Sequence, residues 1–523
     1  MNRGRAALIS MLVIGGGQIY SGRIWAGVSF AIIFYGTVGL VFNIWTGINP
    51  AFWGLIVVWI FVWLFNIYDA YRGSGYEKPP CEKMCPAGIA PWVYINLIAT
   101  GSNDPYPFVP FFNVLELICP APCETQCTRR GIDNAVAIKY LKSDVKMQKS
   151  NARQKTKKER IAVIGAGPCG LSAAYSLASK GYNVTIFERE KRPGGVLAVL
   201  IPEFRLPQSL LDKEIRLLID VGIELKCGLE VGKDISLDEL LKNYDLVFIA
   251  TGAWKSMTLD IKGKDAGLNG FDVLKKIKRG ERFNLGKVGV IGGGDTAIDI
   301  ARSLIRQGNK VKIYYRRRIE DMPAELENRT EAQEEGIEII PLTVPIAIED
   351  SKVTMAETEC LESRKGPVRI KKECTFKVDL NHIIIAVGQQ PDTDFLRNYV
   401  KIDKFGRIKT KHWKTSHPRI FAGGDAVLGS KTVAHAVGEG LNAAEHADFY
   451  LRRIHPLFGR IFKKIDLPRV KCLPVKNIGR MTIPHRKVEE RIHDFEEVEM
   501  KASQEELRQE ALRCLSCPLR YRP

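Results

Sequence analysis

Two segments of this chain share one pattern, a β-branched strand, a glycine-rich turn and a helix, and that repetition restricts the fold more than any other feature. The first, IAVIGAGPCGLSAAYSLASKGYNVTIFERE, starts at Ile161 and carries Gly165-x-Gly167-x-x-Gly170. Gly165 suits the tight turn, Gly167 a close approach of backbone to a pyrophosphate, and Gly170 the packing of helix on strand. The unpaired N–H groups of the helix start then face the phosphates. Glu188, closing the second strand, is placed to bind a ribose hydroxyl. The second segment, KVGVIGGGDTAIDIARSLIRQGNKVKIYYRRR from Lys287, repeats the turn as Gly292-x-Gly294-x-x-Ala297. Its second strand ends in Arg316-Arg317-Arg318 rather than in an acid. A carboxylate there repels a ribose 2′-phosphate, whereas a guanidinium pairs with it. The spacing therefore predicts NADP(H) over NAD(H) at this second turn.

Three more segments extend the pattern. ATGA at Ala250–Ala253 and IIIAVGQQPD at Ile383–Asp392 read as buried strands running into turns at Gly252 and Gly388. RIFAGGDAVLGSKTVAHAVGEGLNAA reads as strand, turn at Gly424-Asp425, then helix after Thr432. Asp425 is placed to accept hydrogen bonds from the ribityl hydroxyls of a flavin. The expected fold class is α/β: two nested Rossmann-like units, an FAD domain (159–257 and 375–455) split around an NADPH domain (258–374).

RPGGVLAVLIPEFRLP after Glu188, GGGDTAIDIAR and YYRRRIEDMPAE resemble the small subunit of NADPH-dependent glutamate synthase, and equally the flavin half of dihydropyrimidine dehydrogenase. The resemblance runs from about Cys81 to the C-terminus. It implies FAD contacts at Gly165, Gly167, Glu188, Gly195, Leu197, Arg205, Gly424 and Asp425. It implies NADPH contacts at Gly294, Asp295, Thr296, Ala297, Arg316 and Arg317. It also implies an α-helical iron–sulfur domain (77–150) ahead of the first nucleotide turn.

Seven of the twelve Cys fall in groups: Cys81 and Cys85, then Cys119, Cys123 and Cys127, then Cys514 and Cys517. Clustered thiolates, with Pro after the last Cys of a group, suit iron–sulfur ligation. Cys-x2-Cys suits zinc as well. The families named above carry CLxC next to the first group, whereas here EALRCLSCP stands at the far end. The tail (456–523) is thus expected to fold back, so that Cys514 and Cys517 join Cys81, and the resemblance implies Cys127 as the fourth ligand of that 4Fe-4S cluster. Cys85, Cys119 and Cys123 form a second set one thiolate short, with Leu115 where many relatives have a further Cys. A ligand from near Lys139–Asp144, or water, would complete it. The other five Cys form no close pair, so the dithiol of a flavin disulfide reductase is not expected.

The first 76 residues read as a membrane anchor. Ile24–Tyr68 contains no Asp, Glu, Lys or Arg and holds five of the eight Trp. Two runs, 24–45 and 51–68, are long enough to span a bilayer. The stretch GGGQIYSGRIWAG, with a second span ending in DAYR, resembles the small two-helix "TM-two" domain. Arg3, Arg5 and Arg23 before the hairpin, and Arg72 and Lys78 after it, place both ends on the cytoplasmic side of the inner membrane. Lys139–Arg160 carries nine Lys or Arg against two acids, in a net charge of +18. No nucleic-acid-binding motif accompanies it, and a basic linker near an anionic bilayer fits better. The expected activity is electron passage between NADPH and either a partner protein (a ferredoxin or a larger catalytic subunit) or an acceptor in the membrane. A glutamate synthase small subunit and a relay subunit without turnover remain open alternatives.

Overall fold

The computed structural model describes residues 60–67, 78–148, 156–349, 352–360, 366–453, 468, 470–472 and 474–520. The chain divides into two units: 1–79 with 457–464 and 517–523, and 80–456 with 465–516. In the first unit, 60–67 is helical, with Ile60, Phe61, Leu64 and Phe65 exposed. Among the described residues no helix is long and apolar enough to cross a membrane. The expected spans at 24–45 and 51–68 lie outside the described residues except for 60–67.

In the second unit, four strands in chain order build most of one sheet: β1 (Arg160–Ile164), β2 (Asn183–Glu188), β3 (Glu224–Cys227) and β4 (Leu246–Ile249). The fifth, β15 (Ile420–Ala422), arrives from far down the chain, giving the parallel order β15-β4-β1-β2-β3. Ile161, Ala162, Val163 and Ile164 are all buried, because both faces of the sheet are covered. The helices Pro168–Ala178 and Val433–Leu451 pack on one another. Leu237, Leu240, Leu241 and Leu396 form the core with Ala162, Ile164, Val247 and Ile249.

The insertion carries a second parallel sheet. A short β5 (Lys255–Ser256) precedes it, followed by β6 (Leu268–Asn269), β7 (Lys287–Ile291), β8 (Lys310–Tyr314) and β9 (Glu338–Ile340). An antiparallel ribbon follows: β10 (Thr343–Glu349), β11 (Lys352–Cys360) and β12 (Val368–Asp379). Then β13 (His382–Ile385) returns to the second sheet, whose order is β6-β13-β7-β8-β9. The helices Gly270–Lys278 and Asp295–Arg306 share a core with Val288, Val290 and Ile313. The ribbon residues Ile348, Val353 and Met355 pack with Tyr314 and Ile383.

The sequence boundary at 374/375 falls inside β12. Ile383–Ile385, assigned from sequence to the second half of the first domain, pair with β7 instead. The chain leaves the inserted domain only after Gly388, where β14 (Gln389–Gln390) pairs with β5.

Residues 80–148 form the helical domain. Pro91–Thr100 buries nine of its ten residues and ends on Gly101 at φ 64°. Trp92 Nε1 donates to Glu82 Oε2 (3.0 Å), and Tyr94 OH donates to the Ile138 carbonyl (2.8 Å). The helix Gln504–Ala511 packs against Pro91–Thr100, so the tail does return to this domain. Buried Arg513 bonds to Asp133, Glu510 and the Asn134 and Ile478 carbonyls. Arg129 donates to the Arg513 carbonyl (3.3 Å), tying the segment after Cys127 to the one before Cys514. On the other side, Gly438 of helix Val433–Leu451 admits the loop after Cys85. A Cβ at Gly438 would lie 1.9 Å from the Pro86 carbonyl oxygen.

Candidate functional site

A cleft with about 1350 Å³ of space, part of it open to solvent, runs along the C-terminal ends of β1, β2 and β4. Gly165 (φ 102°) turns the chain out of β1, and a Cβ there would meet the Ala250 carbonyl oxygen at 2.5 Å. Gly170 sits over Gly165 so closely that a Cβ would lie 2.0 Å from its oxygen. Gly167 and Gly195 face each other across the cleft floor, where a Cβ on Gly195 would come within 2.9 Å of Gly167 Cα. The floor is thus bare backbone, and helix Pro168–Ala178 starts on it with unpaired N–H groups.

Glu188 closes one end. Its carboxylate accepts from the N–H of Ala166 (2.6 Å) and of Glu190 (2.9 Å). Burial pushes this carboxyl up, against those two bonds. Asp425 stands in the same cleft and accepts from the Lys431 N–H (3.1 Å). Burial pushes it up to about 7. Thr432 caps helix Val433–Leu451 by accepting from the His435 N–H, so a nineteen-residue helix points its positive end at the cleft.

The lining also includes residues that sequence reasoning missed. Arg189 lies over the Trp254 ring, 4.8 Å from its centroid, and both border the cleft. Among the described residues, Thr251 Oγ1 is buried there without a hydrogen-bond partner. An orphaned hydroxyl, two buried carboxyls pushed up by burial and a glycine floor fit a hydroxyl- and phosphate-bearing dinucleotide such as FAD. Among the cleft residues Cys169 is the one Cys, and burial pushes its thiol up. Gly252 and Gly424 take positive φ, as turns at strand ends require.

Two residues given FAD contacts by resemblance sit elsewhere. Leu197 is fully buried in the short helix Val196–Val199 and does not line the cleft. Arg205 is engaged by Asp299 (2.9 Å) and Glu325 (3.5 Å) of the inserted domain. Those carboxylates hold it far more firmly than a neutral ligand group would.

The second turn is built on the same plan. Gly292 (φ 151°) leaves no room for a Cβ, which would meet the Ala386 carbonyl oxygen at 2.2 Å, whereas Gly294 faces open space. Asp295 accepts from the Glu325 N–H and from Asn328 Nδ2, and Thr296 Oγ1 accepts from Gln389 Nε2 (3.3 Å). Ala297 is buried against the turn. Gly388, at φ 127°, accepts from the Met257 N–H (3.0 Å) where the two crossings between domains meet. The three arginines after β8 differ. Arg317 donates to the Gly366 carbonyl (3.0 Å), and Arg318 is held by Asp321 (2.8 Å). Among the described residues, the exposed guanidinium of Arg316 has neither a hydrogen bond nor an ion pair.

The cysteines of the helical domain are all free thiols. Cys85, Cys119 and Cys123 lie close enough to feel one another's charge. Burial raises the Cys85 thiol, opposed by N–H groups of Ile89 and Ala87 and by the charge of Lys142. Cys81 and Cys127 belong to the same domain, and Cys514 accepts from the Ser516 N–H (3.5 Å). Cys517 starts the helix Cys517–Arg520 of the first unit. Among the described residues no three Cys, His, Asp or Glu side chains converge closely enough to hold a metal ion. Of the expected ligand sets, only Cys85, Cys119 and Cys123 are shown acting on one another, and they form no coordination shell.

Comparison with known proteins agrees with this architecture. The family model described as pyridine nucleotide-disulphide oxidoreductase matches residues 96–205 and 160–440. The chain is 33% identical to the NADP(+)-dependent formate dehydrogenase subunit beta of Moorella thermoacetica, over 84% of this chain and 71% of that one. It is 31% identical to the NADPH-Fe(3+) oxidoreductase subunit beta of Geobacter sulfurreducens, over 86% and 76%. It is 33% identical to the NAD-dependent dihydropyrimidine dehydrogenase subunit PreT of Escherichia coli, over 75% and 95%. FprA from Mycobacterium tuberculosis shares the fold, with TM-score 0.50 at 17% identity, over 59% of this chain and 88% of that one. With both nucleotide turns in place, the chain belongs to the pyridine nucleotide-disulphide oxidoreductase family and is an NAD(P)H-dependent oxidoreductase.

Proposed function

We propose that this chain is the NADPH-oxidising subunit of an electron-transfer enzyme, with FAD in the cleft of the first domain and iron–sulfur chemistry at the cysteines of the helical domain. The observation that carries the reading is the pairing of two nucleotide turns of opposite character. Glu188 favours a ribose hydroxyl in the first, and Arg316 offers an unengaged guanidinium to a 2′-phosphate in the second. FAD, when bound, supplies a carrier that takes two electrons from a nicotinamide and releases them to one-electron centres.

The chain's own residues orient and insulate. The Gly167–Gly195 floor and the helix starts hold phosphates, while Asp425 and Thr251 offer hydrogen-bonding atoms to a sugar-like chain. No side chain is required as general acid or base. Close packing of Gly438 on Pro86 brings the Cys85 loop against the helix that starts at the cleft. This supports a path from the cleft toward the cysteines.

The related formate, iron and pyrimidine enzymes are named as subunits, which supports a partner chain that receives or supplies the electrons. The uncharged stretch at 24–68 supports anchoring to a lipid bilayer, with this unit on the cytoplasmic side. The test is an anaerobic titration of the full chain with NADPH, and with NADH as control, following flavin absorbance and low-temperature EPR. Bleaching by NADPH with reduced-cluster signals is the expected result. A flavin left oxidised by NADPH, or protein without iron after anaerobic purification, refutes it.

A further inference from the structure

Between β14 and β15 the chain makes two tight antiparallel excursions, with Ile402 paired to Ile408 and Lys411 to Lys414. Residues 401–414 carry six Lys or Arg against one acid, Asp403, which Arg407 holds at 2.8 Å. Among the described residues, Lys401, Lys404, Lys409, Lys411 and Lys414 have no ion pair, and all but Lys414 are exposed. The Lys409 N–H donates to the Lys401 carbonyl (2.8 Å) and the Lys401 N–H to Ser416 Oγ (3.0 Å), so the two excursions stand side by side. Like charges gathered without carboxylates repel one another and disfavour the folded chain.

The second turn sets this patch apart from an ordinary solvated edge. His412 (φ 51°) and Trp413 (φ 61°) both take left-handed backbone, the geometry of a two-residue hairpin turn that Asn-Gly normally fills. Bulky residues are strained there and persist only where their surroundings hold them, most often at functional sites. Here Trp413 Nε1 donates to Glu439 Oε2 (2.9 Å), and its ring packs on that of His446, with centroids 4.9 Å apart. The turn is also fastened to the nucleotide cleft. The Trp413 carbonyl accepts from the Ala422 N–H (2.9 Å). A Cβ at Gly423, which lines the cleft, would lie 3.6 Å from Trp413 Cδ1. The Ile408 N–H donates to the carbonyl of Ala426 (2.9 Å), directly after Asp425. One glycine thus separates the indole from the cleft, and Lys411 and Lys414 flank it in the turn.

We propose that the basic patch at 401–414 is a docking surface for an acidic one-electron carrier protein, seated over the Trp413 turn. This rests on the proposed FAD reading and adds a second exit to the path toward the cysteines. NADPH gives two electrons as a hydride, and two carrier molecules in turn take one each, leaving NADP+ and one proton. Charge complementarity sets the sign of the partner. The patch offers a bilayer little, since a membrane-surface segment needs an apolar face. Among the described residues, Phe405 is its one exposed large apolar side chain, and Lys404 and Arg407 each lie over that ring at 5.1 Å.

The experiment follows reduction of an acidic 2Fe-2S ferredoxin by the detergent-purified full chain with NADPH, at low and at high salt. A small dye acceptor is the control. The variants are Lys409→Glu with Lys411→Glu, and a pair of equal charge change on the inserted domain, Lys276→Glu with Lys310→Glu. All four lysines are exposed and, among the described residues, without ion pairs. The first pair should lose about tenfold or more in kcat/KM for ferredoxin at low salt, and the difference should shrink at high salt. Dye reduction and the KM for NADPH should stay at wild-type values. An unchanged kcat/KM for ferredoxin overturns the proposal, and weaker binding of the same variant to phosphatidylglycerol vesicles would then make the patch a lipid contact. Equal loss in both pairs overturns it too, since the field of the whole protein would then steer the carrier. Flavin that NADPH bleaches without any reduction of ferredoxin refutes the docking surface alone, whereas flavin that NADPH leaves oxidised fails the FAD reading.

Discussion

Replacing Arg316 by alanine isolates the group by which the second nucleotide domain would tell NADPH from NADH. Of the three arginines after β8, Arg317 is spent on the Gly366 carbonyl and Arg318 on Asp321, whereas Arg316 is exposed and unengaged. A charge-assisted hydrogen bond contributes about 1.5–3 kcal/mol. At 1.4 kcal/mol per tenfold, Arg316→Ala should weaken NADPH roughly 10- to 100-fold. NADH lacks the 2′-phosphate, so its constants should move less than about twofold on the same scale. Arg318→Ala should do little, since its guanidinium is already committed. The assay is steady-state reduction of a dye acceptor with each nucleotide, reported as the ratio of kcat/KM values. The loss should appear in KM and not in kcat, because the 2′-phosphate is far from the transferred hydride. An equal loss with both nucleotides, or a larger effect at Arg318 than at Arg316, would refute the assignment.

Three further outcomes follow from other parts of the structure. Arg491 of the tail is buried between Glu334 (2.7 Å) and Glu335 (3.1 Å) of the inserted domain; Arg491→Ala should cost about 3 kcal/mol, the lower end for breaking a buried pair, because Glu335 keeps Arg302 and Arg306. Denaturant unfolding measures it, and a loss under about 0.5 kcal/mol would show that the contact is not formed. Asp425, with a carboxyl at about 7, keeps a proton in the folded, FAD-free chain that the unfolded chain releases near the ordinary carboxylate value. Stability of the FAD-free protein should therefore fall as pH rises from about 4 to about 7, and Asp425→Asn should flatten that slope in thermal melts across the window. Finally, Gly195→Val should abolish flavin retention, as a side chain placed 2.9 Å from Gly167 Cα fills the cleft floor; a variant that purifies yellow contradicts the site.

Both nucleotide turns were legible in the sequence because their physics is local. A strand of β-branched residues, glycines at fixed offsets and a helix need only a window of about thirty residues to be recognised. Sheet membership is not local. Ile383–Ile385 read as a buried strand before a glycine turn in either domain, and only the pairing of Ile384 with Val290 decides between them. Arg205 failed for a similar reason: its partners Asp299 and Glu325 lie about a hundred residues away. Thr251 left no mark at all, since an orphaned hydroxyl is defined by what surrounds it. The return of the tail could be read from its cysteines, but not the buried Arg513 that fastens it.

The contact between Gly438 and Pro86 makes one helix a shared wall of two compartments. Its first turn lines the nucleotide cleft, and its second presses on the cysteine loop with no side chain between. Any motion that carried the helical domain away from the cleft would have to break that helix or pull it off Pro168–Ala178. At the other end the inserted domain joins by two crossings, tied to each other where the Met257 N–H donates to the Gly388 carbonyl. A side chain at position 438 would therefore push the cleft and the cysteine loop apart, because no space separates the helix from Pro86.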